Sequence, residues 1–392
     1  VGSGSVTIPI MKKTGYDKDF AAAVEAAAST GGQIMPPIMG AAAFLMAEMT
    51  EMPYSTIAIA AIFPAILYFS GIFLAVHFEA KKLGLKGLPK ESIPNFFKLF
   101  FSKGYLLIPI LVLVVTMTVG FTTSRAACLA ILAAIIVSAF KKETRLSPSG
   151  FVDALEAGAK NTIGVAAACA IAGIIVGIVA LTGIGLKLAD MLLTLSGGID
   201  ILALFLTMIA CIILGMGVPT TANYVIMSTI TAPIILQLIP GTPVLAAHMF
   251  VFYFGIVADI TPPVALAAYA GSAISGGNPI RTGIIATRLA IAAFIIPYIF
   301  VLNPSMLLIN SSFVEVARII ITSMLGMFAI SSGLEGYMNR KMPWWQRMLA
   351  VGAGLALIDP GLMTDICGVI VIALICVLQY IVKEKKNTPV LG

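Results

Sequence analysis

The residues of this chain best placed to do chemistry are oxygens flanked by glycine and proline, and they gather in two stretches. The first holds Gly2-Ser3-Gly4-Ser5-Val6-Thr7 and then Gly31-Gly32-Gln33-Ile34-Met35-Pro36-Pro37. The second holds Gly215-Met216-Gly217-Val218-Pro219-Thr220-Thr221-Ala222-Asn223 and then Asp259-Ile260-Thr261-Pro262-Pro263. In each, a Gly-x-Gly turn bearing small hydroxyls leads through a connection into a helix interrupted at Pro-Pro. Proline removes a backbone donor and clashes with the preceding turn, so consecutive prolines unwind the helix and free its carbonyls. Within hydrocarbon such a gap is tolerated only where it is buried in protein or lines a polar cavity. Freed carbonyls, together with the side-chain oxygens of Ser3, Ser5, Thr7, Thr220, Thr221 and Asn223, suit a hard cation such as Na⁺. The exposed N-termini of the half-helices suit a substrate carboxylate.

Asp259 is the ionisable group closest to a break, and it either ligates a cation or caps the following half-helix. Glu48 and Glu51 adjoin Pro53 and are expected to face water. His248 is expected to be a packing histidine, because no partner for it is identifiable in the sequence. Arg125 and Arg288 are expected to snorkel from span ends, and Asp359 and Asp365 to sit in a solvated turn. Enzyme chemistry has no constellation to support it. The histidines are His77 and His248, and GxSxG, HExxH and GxxxxGK[ST] are all absent, leaving neither a nucleophile with its base nor an ATPase site. The five cysteines, Cys128, Cys169, Cys211, Cys367 and Cys376, lie in apolar runs without ligand spacing and read as small hydrophobes.

The elements that must position these oxygens are membrane helices. Hydrophobic residues make up 59% of the 392 and charged residues 11%, with a mean hydropathy of +1.04, far from a soluble domain. The length allows about ten crossing segments at ~20 residues each. Continuous apolar runs cover 54–78, 104–120, 123–140, 162–182, 199–214, 283–302 and 361–382, with 315–332 and 344–358 as further helices. Segments 92–103 and 147–161 read as amphipathic surface helices, the second capped by Ser147 or Ser149. The charge of +6 does not point to nucleic acid. Its lysines and arginines cluster in short connections, at 81–90, 141–145 and 383–386, as the positive-inside rule expects of cytoplasmic loops. Pro36 and Pro262 lie 226 positions apart, so the two units occupy different halves of the chain, as a duplicated transporter requires. Small residues and prolines also serve close helix packing, and a channel or structural scaffold remains an alternative on composition alone.

At GSGSVTIPIMKKTGYDKDFAAAVEAAASTGGQIMPPIMG (2–40), GMGVPTTANYVIMSTITAPIIL (215–236) and DITPPVALAAYAGSAI (259–274), the chain resembles the large membrane subunit of TRAP (tripartite ATP-independent periplasmic) transporters, specifically the fused permeases that work with TAXI-type binding proteins. The resemblance covers residues 1 to about 305, with repeat 1 at about 1–140 and repeat 2 at about 147–305. Residues 306–392 resemble the additional C-terminal transmembrane helices of such fused permeases. It implies an all-α polytopic membrane protein of the elevator type, with inverted repeats, re-entrant hairpins and broken helices, in the bacterial inner membrane. It also implies Na⁺-coupled uptake of a small organic acid, without a cofactor, alongside a periplasmic substrate-binding protein and a small membrane subunit, either separate or fused upstream. The cation sites carried over are Ser3, Gly4 and Ser5 with Gly31 and Gly32, and Gly217, Thr220 and Thr221 with Asp259 and Thr261. Thr7, Asn223, Pro36, Pro37, Pro262 and Pro263 are the expected substrate contacts. The chain begins inside the first hairpin, so residues 1–392 alone are expected not to transport. A dicarboxylate or citrate carrier that needs no binding protein is the alternative within transport.

Overall fold

The computed structural model describes residues 2–87, 95–141, 144–358 and 361–380. Lys90, Lys142, Asp359 and the basic cluster at 383–386 lie outside them, as does the side chain of Cys169. The described residues are helical, without a β-strand and with one bridge between Tyr337 and Lys341. Among the described residues six helices are long and apolar enough to cross a membrane, at Tyr54–Lys82, Phe96–Thr118, Thr220–Leu238, Pro279–Leu302, Phe313–Glu335 and Leu362–Tyr380. The chain is thus an all-α polytopic membrane protein.

The first stretch folds as α1 (Gly4–Thr14), α2 (Lys18–Gly31), an unwound segment, and α3 (Ala41–Thr50). Gly15 closes α1 with φ 108, its amide donating to Lys12 O and that of Tyr16 to Met11 O, and Asp17 caps α2 through the amides of Asp19 and Phe20. Helix α4 (Tyr54–Lys82) follows. The second stretch folds as α10 (Asp200–Gly215) and α11 (Thr220–Leu238), a hairpin whose tip is 216–219, then α12 (Val244–Val257), a second unwound segment, and α13 (Leu266–Ser275). Helices α14 (Pro279–Leu289) and α15 (Ile291–Leu302) follow.

Packing between the two stretches is reciprocal. Helix α1 packs on α2 and on α13; α11 packs on α12 and on α3; α2 meets α13 and α12 meets α3. Each hairpin arm therefore touches the first half of its own broken helix and the second half of the other. Helices α2 and α13 run antiparallel: a side chain at Gly271 would meet the Ala22 carbonyl at 3.0 Å, while further toward the α2 N-terminus Asp19 accepts from the Asn278 amide at 2.7 Å. That pairing brings the end of α2 level with the start of α13, so the two breaks lie at one height.

Between these stretches run α5 (Phe96–Lys103), a short 3-10 turn, α6 (Ile108–Thr118), α7 (Thr123–Ser138), α8 (Pro148–Thr182) and α9 (Ile184–Ser196). Two expectations change here. The amphipathic segment 96–103 is continuous with the span after it, and the separate helices expected at 147–161 and 162–182 are one helix of 35 residues. Ser147 does cap it, accepting from Gly150 at 3.0 Å. With proline confined to its first turn, nothing interrupts that helix where hydropathy changes. Helix α7 has 16 residues, fewer than the ~20 of a simple span. Leu111, Ile131 and Ile136 are exposed, as expected of side chains solvated by lipid.

The last described helices are α16 (Phe313–Glu335), α17 (Trp344–Ile358) and α18 (Leu362–Tyr380), with α16 packed on α4 and α17. Arg288 does not snorkel: its guanidinium reaches the buried Glu335 carboxylate at 3.1 Å, joining α14 to α16. Asp365 is likewise buried, facing Arg318 at 3.9 Å.

Candidate functional site

The two breaks share one backbone design. Aligned on the prolines, QIMPPIMG (33–40) faces DITPPVAL (259–266). Both Pro36-Pro37 and Pro262-Pro263 are cis, and the residue two beyond, Met39 (φ 56) or Ala265 (φ 36), is left-handed. The Met39 amide donates to Met35 O at 3.2 Å and the Ala265 amide to Thr261 O at 3.2 Å. Each segment is closed by one longer bond, from Gly40 to Gln33 O at 2.8 Å and from Ala267 to Asp259 O at 3.0 Å. Much of the backbone freed by the prolines is thus paired within the loop.

Neighbouring side chains satisfy further carbonyls. The Tyr54 hydroxyl donates to Pro37 O at 3.0 Å and Ile38 O at 2.7 Å. The Tyr269 hydroxyl donates to Pro263 O at 2.6 Å, and Thr287 to Ile260 O at 3.2 Å. Gly31 ends α2 because nothing larger fits: a Cβ there would lie 2.2 Å from the ring of Tyr68, a fully buried side chain whose hydroxyl donates to Ala27 O at 2.7 Å. Pro37 and Pro263 are exposed, whereas Pro36 and Pro262 are half-buried, so the outer face of each break is open to a ligand.

Tip 2 reaches its break directly. Gly217 turns with φ +74 beside Val264, and the Thr220 hydroxyl donates to Asp259 Oδ2 at 3.1 Å. Asn223 is fully buried, its Nδ2 donating to Gly255 O at 3.0 Å while its Oδ1 has no partner among the described residues. Gly215 leaves that amide its room, since a Cβ would meet Nδ2 at 2.5 Å. Thr221 is half-buried on α11. The Thr261 hydroxyl turns back to Val257 O at 2.8 Å.

Tip 1, the glycine-flanked hydroxyls of residues 2–7 at the start of α1, reaches a residue outside the expected site, Glu25. Ser3 and Thr7 donate to the two oxygens of Glu25, each at 2.5 Å, and Ser29 donates to the same carboxylate at 3.2 Å. Gly4 is buried against Glu25 and Ile274, whereas Ser5 is exposed and bonds Gly2 O at 2.8 Å. The path from this tip to the break runs through Ser29, whose carbonyl accepts from Gly32 at 3.1 Å. The signal for Glu25 in the sequence is that it is the one ionisable side chain between Asp19 and Glu48, inside an alanine-rich helix.

His248 has a partner after all: its Nδ1 lies 2.7 Å from the Tyr224 hydroxyl. The pair is buried between α11 and α12, and a partner 24 positions away on another helix leaves no local pattern to read. Among the described residues no three or more His, Cys, Asp or Glu side chains gather as a transition-metal site would require. The arrangement can do one thing well, which is to offer carbonyl, hydroxyl and single carboxylate oxygens around two gaps at the same depth.

Residues 1–314 match the family described as the tripartite ATP-independent periplasmic transporter, DctM component. The chain belongs to that family. It is 26% identical over 277 residues to the isethionate TRAP transporter permease protein DctMQ of Oleidesulfovibrio alaskensis, and 26% over 286 residues to the sialic acid TRAP transporter large permease protein SiaM of Vibrio cholerae. These stretches are 70% and 72% of this chain, but it spans 43% and 64% of the lengths of those two proteins. The matched relatives are transporter permeases rather than enzymes, and the paired breaks fall wholly inside the matched residues. Helices α17 and α18 lie beyond them.

Proposed function

We propose that the chain is the translocating part of a secondary transporter that carries a small organic acid inward across the bacterial inner membrane, driven by a cation gradient, with Na⁺ as the coupling ion. The observation that carries this is the reciprocal pair of broken helices, level with each other and each tied to its own tip. A lone kink would serve packing; two matched gaps, with oxygens from separate elements converging on them, suit a site that holds a cation beside an anion. The cation would take carbonyl and hydroxyl oxygens at Ser3, Gly4, Ser5, Gly31 and Gly32, and at Gly217, Thr220, Thr221, Asp259 and Thr261. Its positive charge would then favour an acid at the half-helix N-termini beyond Pro36-Pro37 and Pro262-Pro263, near Thr7 and Asn223.

That isethionate and sialic acid, both anions at neutral pH, name the matched relatives agrees with an acidic substrate. Reciprocal packing of two hairpin units supports movement of both as one body, an elevator. Membership of a tripartite family supports a periplasmic substrate-binding protein, of the TAXI type, and a small membrane subunit as partners. The test is uptake of radiolabelled organic acids into liposomes holding the full-length permease and its cognate binding protein. Uptake that rises with an inward sodium gradient and falls when the binding protein is omitted is expected. Uptake that ignores the binding protein would favour a self-sufficient dicarboxylate-type carrier.

A further inference from the structure

The reciprocal packing of the two stretches gives the protein two matching pairs of connections. The α1–α2 turn lies beside the α13–α14 turn, and their counterparts in the other repeat are the α11–α12 and α3–α4 turns. Lys12, Lys13 and Lys18 belong to the first pair, as does Arg281 in the first turn of α14. The counterparts carry no basic side chain: Ile239-Pro240-Gly241-Thr242-Pro243 has no ionisable group, and Glu51-Met52-Pro53 adds an acid. Backbone symmetry therefore does not account for the positive charge.

The basic groups gather around one place. Lys12 Nζ donates to Ser275 O at 2.7 Å and Lys18 Nζ to Gly276 O at 2.9 Å, while Arg281 Nη1 lies 3.3 Å from Asp19 Oδ2. Asp19 is buried and its other oxygen takes the Asn278 amide at 2.7 Å, so its charge is turned inward. Asp17 is engaged in capping α2. Four cations thus stand against two occupied carboxylates. Their donors are far from used up, since a guanidinium has five N–H groups and an ammonium three, and the Arg281 side chain is 64% exposed.

A cavity of about 550 Å³ opens here between the starts of α2 and α14. Its lining passes from Lys18, Asn278 and Arg281 to Ile284 and Ile285 one turn further along α14. Ile280 and Ile284 share a helix face and are 60% and 58% exposed. The cavity stands at the end of the membrane spans. Pro279 begins the span Pro279–Leu302, and Leu85, just past the end of α4, abuts Gly15, where a Cβ would lie 2.8 Å from its side chain. A guanidinium fork suits a phosphate, and basic pockets between helices at a membrane face take anionic headgroups. A soluble anion would make no use of the isoleucines that lead from the cations toward hydrocarbon.

We propose that the cleft between the α1–α2 turn and the start of α14 binds an anionic phospholipid, with its phosphate on Lys18 and Arg281 and an acyl chain along Ile280 and Ile284. The lipid would tie the first hairpin to the second repeat at headgroup level, whichever ion drives transport.

The experiment is thermal melting of the purified full-length permease in detergent with dioctanoyl phosphatidylglycerol, dioctanoyl phosphatidylcholine or potassium phosphate added at constant ionic strength. A ligand that binds only the folded state raises its melting temperature in a concentration-dependent way. Phosphatidylglycerol is expected to stabilise wild type saturably, at concentrations at least about tenfold below those needed of phosphatidylcholine, because several cations each favour net negative charge. Lys18→Gln is expected to raise the half-saturating phosphatidylglycerol concentration about fivefold. Arg281→Gln should raise it by more, and Arg281→Lys, which keeps the charge without the fork, by less than Arg281→Gln. Ile284→Asn should weaken the lipid response through the acyl wall. Because Arg281→Gln also strips Asp19 of its partner, it may not fold; an unchanged phosphatidylglycerol response in both Lys18→Gln and Ile284→Asn then overturns the site. Equal stabilisation by phosphatidylcholine overturns it as well. So does inorganic phosphate that reproduces the full shift, which would assign the cleft to a soluble anion.

Discussion

The two breaks share backbone and differ in chemistry. At break 1 the position three before the first proline is neutral, Gln33, and the carboxylate that meets the tip, Glu25, lies two turns back along α2. At break 2 that same position is Asp259, so charge and unwound backbone coincide, and Thr220 ties the tip straight to it. Five positions before the first proline stands Gly31 in one and Val257 in the other. Packing of the next helix explains that last difference, because Tyr68 of α4 presses on Gly31. A duplicated loop keeps its hydrogen-bond closure while the charge and volume around it change, so the two gaps should bind unlike things, or like things with unlike strength.

Gly31→Ala should be the most damaging single change to this comparison. Its Cβ would sit 2.2 Å from the Tyr68 ring, and overpacking of a closed interior costs about 1–3 kcal/mol or more. Loss of monodisperse protein and of uptake is expected, whereas Val257→Ala in the corresponding place of repeat 2 should remain folded by size-exclusion chromatography. Equal tolerance of the two would mean that α4 does not fix break 1. Next comes Asp259→Asn. Hydrogen bonds and contacts to a charged group contribute about 1.5–3 kcal/mol, so sodium dependence of uptake should shift at least about tenfold. Gln33→Ala should shift it less, because the Gln33 atom engaged in the loop is its carbonyl. Asn223→Ala should cost about 1–2 kcal/mol in detergent melting by stranding the Gly255 carbonyl. Unchanged melting with reduced uptake would instead place the free Oδ1 of Asn223 against the substrate.

How much of this was legible beforehand depends on the range of the interaction. The helices, the Gly-x-Gly turns and the Pro-Pro gaps follow from local rules, and Gly217, Pro36, Pro37, Pro262 and Pro263 stand where those rules put them. Asp259 was found because it adjoins its break in sequence. Glu25 is not legible in the same way, because its hydrogen-bond donors Ser3 and Thr7 lie 22 and 18 positions away, and a lone acid in an alanine run shows no spacing signal. His248 has no partner in the local pattern, and Arg288 reads there as a snorkelling residue, for the same reason: Tyr224 and Glu335 meet them only once helices pack. The merged helix at Pro148–Thr182 misled in the opposite direction, since a change of hydropathy without a helix breaker does not end a helix.

The smallest expected effect separates the tyrosines that close the two loops. Tyr54 is buried and donates to two carbonyls of break 1, Pro37 and Ile38, so Tyr54→Phe leaves two acceptors to find water in a crowded place. Tyr269 donates to one carbonyl, Pro263, in an exposed contact, where water can substitute at little loss. The first substitution should therefore cost about 1 kcal/mol and the second about 0.5 kcal/mol or less, measured as the difference in detergent melting between the two variants. If Tyr269→Phe proves the costlier, break 2 is the tighter of the two loops, and the openness of its outer face, on which the proposed entry of a substrate there depends, is lost with it.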